Sequence, residues 1–424
     1  MQESRLQFGR RARTQNRPPA RHVPFGGLIP TPGIPTAVSR YQAIVVGGGV
    51  HGTSIFHHLA AAGMDRVLLV ERKTLACAAT GRSTGIIRHH YSQEVTVRLA
   101  MASTRAFRRF REEIGQDIAY VNNGLLFLAA EGEEAALRTC VDQQRRLGVG
   151  VELIDPADVP RYHPDLVADD VPLAAFERDA GYADPYSVAV GYAKAGEAKG
   201  GRILQGTRVR DVRADGRGGF SVETDRGDFE ADRVVLAVGA WARTVGARLG
   251  IDVPVTPLRL SNAVLELPGG VPATAPTVLD LPNHLYFRPE GGSLLVGDGE
   301  GLEDIDPDGF DESLPYSFVE EVSGRIVRRF PRCAEASYKK GWRGLDGASP
   351  DFHPIVGPVA EKEGLFVCVG MSGHGFKLAP AIGRGVAELL TKGRYETIDL
   401  APYAPDRFAK GRALSSLFSM KIAA

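Results

Sequence analysis

The run from Gln42 to Glu71 constrains this chain more than any other, because strand, glycine turn, helix, second strand and terminal acid follow one another without a gap. Ala43 to Val46 is short and wholly apolar, as a strand buried on both faces of a parallel sheet must be. Gly47, Gly49 and Gly52 then give the spacing G-x-G-x-x-G. The first allows a tight turn, the second lets a diphosphate approach the backbone, and the third lets helix pack on strand. The pattern predicts a helix from Val50 to Ala62 that stops at Gly63, its first turn, with Val50 and His51, directing free N–H groups and the positive dipole end toward the diphosphate. Val67 to Val70 make the second strand. Glu71 closes it, roughly twenty residues past the glycines, where a carboxylate accepts hydrogen bonds from ribose hydroxyls, with Arg72 beside it. The expectation is a dinucleotide site.

Composition removes several classes of function. Fifty-one basic and fifty-one acidic residues cancel in 424, so there is no general attraction for nucleic acid or an anionic membrane. No apolar run is long enough to span a bilayer, and small ligands are the expected partners. Cys77, Cys140, Cys333 and Cys368 form no C-x-x-C pair, which points to free thiols and a cytoplasmic location. The adjacent pairs His57–His58 and His89–His90 cannot converge on one ion without further ligands, so no metal is expected. Glu112, Glu113, Glu133 and Glu134 read as solvated helix faces. Residues 1–40 hold seven arginines, one acid and six prolines, a composition that predicts a disordered extension. No apolar stretch of the secretory kind follows Arg10 and Arg11, and an extended start is an equal reading.

Beyond Glu71 the strand-and-helix alternation breaks off. An apolar strand from Arg233 to Val238, closed by Gly239, Ala240 and Trp241, is expected to rejoin the first sheet. So is Leu365 to Val369, followed by a glycine-rich turn from Gly370 to Gly375 and an amphipathic helix from Phe376 to Leu390. Strands at Gly124–Ala130, Val253–Leu267, Leu285–Arg288 and Ser293–Val296, separated by Pro and Gly turns, predict a second, mostly antiparallel sheet. Helices at Gln93–Glu113, Glu133–Leu147 and Pro185–Lys199 flank it, the last leading into a strand at Arg202–Gln205.

Four pieces together resemble the amine and amino-acid flavoenzymes related to D-amino acid oxidase and glycine oxidase, and most closely sarcosine oxidase and dimethylglycine dehydrogenase. They are the glycine fingerprint with Glu71, the segment Thr80-Gly-Arg-Ser-Thr-Gly-Ile-Ile-Arg-His-His-Tyr91, the strand end Ala237-Val-Gly-Ala-Trp241, and Met371-Ser-Gly-His-Gly-Phe-Lys377. The resemblance implies FAD, held non-covalently here because Gly344 replaces the linking cysteine of sarcosine oxidases, and an α/β fold: an interrupted Rossmann-type FAD-binding domain (41–90, 181–250 and 350–395) and a substrate domain of a mostly antiparallel sheet plus helices (91–180 and 251–349), with a C-terminal tail at 396–424. It also implies that Arg88 and Lys377 hold a substrate carboxylate, for which a forked guanidinium is a bidentate match. Tyr91 belongs to the same segment. Gly81, Arg82, Ser83 and Thr84 are expected to touch flavin or diphosphate, as are Gly239 and Trp241. Gly370, Gly373 and Gly375 let the backbone approach the flavin, and the helix from Phe376 and Lys377 aims its positive end at the ring. His374 either bonds near the flavin or is structural.

Two departures bear on the reaction. Where sarcosine oxidases carry the cysteine linked to flavin, this chain has Gly344, so a covalent bond there is excluded. Asp346 stands where that family has a tyrosine, and a carboxylate facing substrate favours a cationic or hydroxylated group. The lysine that activates oxygen in sarcosine oxidases aligns with Leu295, which favours a dehydrogenase passing electrons to a quinone, an electron-transfer protein or a partner subunit. The implied activity is oxidation of a secondary amine or an amino or imino acid. The alternative is a non-catalytic FAD-binding subunit or assembly factor of the same fold.

Overall fold

The computed structural model describes residues 39–298 and 305–418, all within one unit, Pro35–Ala424. The expected disorder of residues 1–40 concerns positions that lie, but for the last two, outside the described residues.

Two eight-stranded sheets carry the fold. In the first, five parallel strands run in the spatial order Leu365–Val369, Phe229–Leu236, Ser39–Val46, Val67–Val70, Arg202–Leu204. Counted along the chain this is 5-4-1-2-3, so the order reverses between Ser39–Val46 and Phe229–Leu236, and a crevice opens there beyond the strands' carboxyl ends. Ile44, Val45, Leu68 and Leu69 are fully buried, which is why these strands are apolar at every position rather than at alternate ones. Each such side chain contributes about 1.5–3 kcal/mol over exposure. The strand Ile355–Pro358 pairs antiparallel at one edge, and a hairpin, Val209–Ala214 with Phe220–Thr224, extends from Phe229–Leu236.

The second sheet runs Ser337–Ala348, Thr256–Glu266, Ser293–Asp298, Leu285–Glu290, Thr277–Asp280, Leu125–Leu128, Ala174–Glu177, Val151–Ile154. Every pair in it is antiparallel except Thr277–Asp280 with Leu125–Leu128. A two-stranded ribbon, Ile86–Ile87 with Gly181–Tyr182, stands apart from both.

Several boundaries differ from expectation. The helix after the glycine turn is Val50–Ala61 and the last helix Gly375–Lys392. The strand expected from Arg233 begins at Phe229 and ends at Leu236, because Gly239–Trp241 winds into a 3-10 turn. The helix expected over 93–113 breaks at Arg109 into Glu94–Arg108 and Phe110–Ile114. The strand expected from Val253 starts only at Thr256. Residues 396–418 pack on the body: Arg407 Nη2 donates to Asp351 Oδ1 at 2.7 Å, both side chains being buried, and the Phe418 ring lies tilted against that of Phe127 at 5.0 Å. All four cysteines are free thiols. Among the described residues no helix is long and apolar enough to cross a membrane, and no three His, Cys, Asp or Glu side chains cluster as metal ligands.

Candidate active site

A cavity of about 520 Å³ occupies the crevice at the sheet reversal. Gly47, Gly48 and Gly49 form its floor, and at the first two the packing leaves no room for a side chain. Gly47 has φ +111°, and a Cβ there would lie 2.3 Å from the Ala237 carbonyl oxygen; one on Gly52 would lie 1.9 Å from that of Gly47. Gly52 therefore serves helix-on-strand packing and does not line the cavity. Glu71 is buried, and its carboxylate accepts from the Gly48 N–H at 2.7 Å and the Lys73 N–H at 2.8 Å. Each oxygen keeps a lone pair for a ribose hydroxyl. The Val50 N–H at the helix start donates to Thr80 Oγ1 at 3.0 Å. That threonine opens the second quoted segment and lines the wall, yet the glycine spacing alone gives no hint of it.

Of the segment around Arg82, Ser83 and Thr84 line the cavity with Arg82, whereas Gly81 does not. A Cβ on Gly81 would meet the Ala76 carbonyl oxygen at 2.5 Å, so this glycine closes a tight turn. Arg82 bonds to the Cys77 carbonyl and to Glu312. Its Cβ lies 2.9 Å from where a Cβ on Gly344 would be. A cysteine at 344 would thus compete with Arg82 for space.

A strap, residues 305–315, crosses the same wall and contributes Pro307, Asp308, Phe310 and Glu312 to it. Asp308 Oδ1 accepts from Arg72 Nη1 at 2.5 Å and Trp241 Nε1 at 3.0 Å, and the Arg72 guanidinium lies 4.0 Å from the Trp241 ring centroid. Arg72 and Trp241 are therefore at the cavity, as expected, but turned toward a strap that no local motif announces.

At the other end Arg88, Asp346 and Lys377 converge, with Asn262 and Tyr286 of the second sheet. Tyr286 OH donates to Asn262 Oδ1 at 3.1 Å. Arg88 is 2% exposed; it donates to the His90 carbonyl and lies 4.3 Å from the Tyr91 ring centroid. The His89 N–H and Nδ1 are turned instead to Glu177, which anchors the segment. Asp346 Oδ2 accepts from the Gly373 N–H at 2.7 Å and Oδ1 from its neighbour Gly347 at 2.8 Å. Its carboxylate faces the cavity but is already held by the backbone. Burial pushes the Asp346 carboxyl up, against the pull of these N–H groups and of Lys377. Lys377 Nζ donates to the Gly373 carbonyl at 3.3 Å, and burial first, then the charge of Arg88, push it well below the lysine range.

Tyr91 and His374 are not at the cavity. Their rings stack at 5.3 Å behind Arg88 and the glycine turn, and burial raises the Tyr91 hydroxyl to about 12. Gly370 is likewise behind the wall, against Ile355 and Ser349. Gly239, Gly373, Gly375, Phe376 and His51 do line it. His51 is buried, its Nε2 has no hydrogen-bond partner, and burial lowers its pKa to about 4. Leu295 is buried in its strand outside the wall, and among the described residues only Lys73 and Lys377 are lysines of the lining.

A glycine floor under a helix start, the Glu71 carboxylate at the end of the second strand, a second helix start at Gly375 and an orphaned imidazole nitrogen fit a flavin dinucleotide laid across the sheet reversal. The fold and site define a FAD-binding oxidoreductase. The chain belongs to the FAD dependent oxidoreductase (DAO) family, whose model matches residues 42–389. It is 30% identical to "FAD-dependent oxidoreductase domain-containing protein 1" of Bos taurus, over 88% of this chain and 85% of that one. It is 26% identical to the mitochondrial dimethylglycine dehydrogenase of Rattus norvegicus over 94% of its own length, but spans only 48% of that relative. Among solved structures, L-proline dehydrogenase from P. horikoshii superposes with a TM-score of 0.81 at 27% identity, covering 88% of this chain and 99% of the other.

Proposed function

We propose that the protein oxidises a secondary amine or an amino or imino acid of the sarcosine, dimethylglycine, D-amino acid or cyclic imino acid kind, giving an imine that water hydrolyses. FAD, when bound, supplies the chemistry by accepting a hydride from the carbon next to nitrogen. The observation that carries this reading is the pair of buried basic side chains, Arg88 and Lys377, lining one cavity with the glycine floor. A carboxylate entering that space needs a cationic partner, and the Arg88 fork, braced on Tyr91, offers one in fixed orientation. Tyr286 and Asn262 cover the space from the second sheet and help exclude water. The relatives named above act, by their names, on dimethylglycine and L-proline, in keeping with an acid that bears a nitrogen.

The first sheet, with its segments in 41–90, 181–250 and 350–395, serves as the cofactor domain, and the second as the substrate domain. We favour a dehydrogenase over an oxidase, because the lining at the ring end carries Lys377 and no further lysine among the described residues. The test is anaerobic mixing of the holoenzyme with a panel of such amines, followed by air. Bleaching of the flavin bands by one of them, lost in Arg88→Ala, supports the reading; flavin that no amine reduces favours a non-catalytic FAD-binding subunit. Fast reoxidation in air would overturn the dehydrogenase preference alone.

A further inference from the structure

We propose that Lys377, with Asp346 set across Gly373 from it, receives the proton that an ammonium-bearing substrate must shed on entering the site. This rests on the carboxylate-binding reading above and adds the fate of a proton to it. The geometry is a bracket around one residue: Asp346 takes the Gly373 N–H at 2.7 Å, while Lys377 donates to the Gly373 carbonyl at 3.3 Å. Among the described residues this long bond is the one hydrogen bond that Lys377 Nζ makes, and Asp346 acts on it as a nearby charge. Burial raises the Asp346 carboxyl, but its two peptide N–H donors and the neighbouring Lys377 favour the ionised form.

Charge balance then decides the direction of transfer. In a low-dielectric cavity an uncompensated charge is costly. Arg88 and Asp346 already cancel, so the ligand-free site is neutral when Lys377 is an uncharged amine. A bound carboxylate adds one negative charge, and the site returns to neutrality if Lys377 gains a proton. A zwitterionic amino acid brings that proton on its own nitrogen. The N–H bond of the ammonium breaks, an N–H bond to Nζ forms, and the substrate amine keeps the lone pair that must be free before hydride can leave the adjacent carbon. No proton need enter from solvent. The other titratable groups around Lys377 do not compete: His51, on the first helix, is kept neutral with a pKa of about 4, and Tyr91, behind Arg88, is kept neutral at about 12. His374 precedes the same helix and stacks on Tyr91. The helix Glu94–Arg108 presents an uncharged buried face of Thr96, Val97, Ala100, Ser103 and Thr104.

The test uses methoxyacetate, an isostere of N-methylglycine that has the carboxylate but no ammonium. Its binding to the holoenzyme, followed by calorimetry in buffers of different ionisation enthalpy near pH 8, should draw about one proton per site from solvent. The uptake should fall toward zero in Lys377→Met. It should fall equally in Asp346→Asn, where Lys377 is intact but the site no longer needs the charge, a result that a merely structural Asp346 would not give. In parallel, flavin bleaching at saturating N-methylglycine should be nearly independent of pH from about 7 to about 9 in the native protein. In Lys377→Met it should rise about tenfold per unit as the free ammonium titrates. Methoxyacetate binding without proton uptake, or a flat profile in Lys377→Met, overturns the proposal and leaves the carboxylate reading standing. Failure of methoxyacetate to bind, or binding unchanged in Arg88→Ala, sinks the carboxylate reading and the proposal with it.

Discussion

Arg88 is held on one side by the His90 carbonyl and on another by the Tyr91 ring, so its guanidinium enters the cavity with little freedom left to lose. A lysine there would keep the charge and lose both the fork and the stacking. Arg88→Lys is expected to weaken carboxylate binding by about tenfold to a hundredfold, or about 1.4–2.8 kcal/mol, with the flavin spectrum intact; titration of methoxyacetate against flavin absorbance measures it. Gly52→Ala acts differently, because its methyl would sit inside the Gly47 carbonyl. That variant should purify without FAD. Gly47, Gly49, Gly52 and Glu71 were legible in the sequence because their roles are local: turn, approach, packing, strand end. Tyr91 and His374 were not, since a motif names the residues of a turn without saying which side faces the ligand. Asp346 was legible as a departure but not in its employment by Gly373, which lies twenty-seven residues away.

At the scale of elements, the strap over residues 305–315 is fastened at two points, Asp308 with Arg72 and Trp241, and Glu312 with Arg82. These ion pairs are partly exposed, and each is worth about 0.2–1 kcal/mol. In the double variant Asp308→Asn/Glu312→Gln, FAD should dissociate several-fold faster, read as the rise of free-flavin fluorescence after dilution. Since salt screens such pairs, the gap between variant and native protein should narrow as ionic strength rises. Equal release rates at low salt would show that the strap does not retain the cofactor. Nothing in the sequence disclosed the strap, because its partners, Arg72, Arg82 and Trp241, lie far from it along the chain. The strand Ser337–Ala348 was hidden for another reason: Lys339-Lys340-Gly341-Trp342-Arg343-Gly344 has no apolar alternation, the strand being a sheet edge whose first four residues are exposed. The buried parallel strands were legible because burial on both faces leaves only apolar residues to choose from.

For the molecule as a whole, several histidines are buried as neutral rings. Burial lowers His51 and His58 to about 4 and His90 to about 3. In the unfolded chain they titrate near 6.5, so below that pH the unfolded state binds more protons than the folded one. Their contribution to stability is complete above about pH 6.5 and is lost progressively as pH falls toward about 4. The midpoint of thermal unfolding should drop across this window, and by less in His90→Leu; a midpoint independent of pH there would refute the assignment. Added FAD should raise the midpoint with the logarithm of its free concentration.

The floor of the channel begins at Val46 and its far wall ends at Lys377, with pieces from residues 207–209, 237–248 and 344–346 between them. No fragment emerging from a ribosome holds the complete binding site until Lys377 has been made. Flavin capture therefore waits on the last helix, and a chain truncated before Gly375 should emerge colourless even with riboflavin in excess.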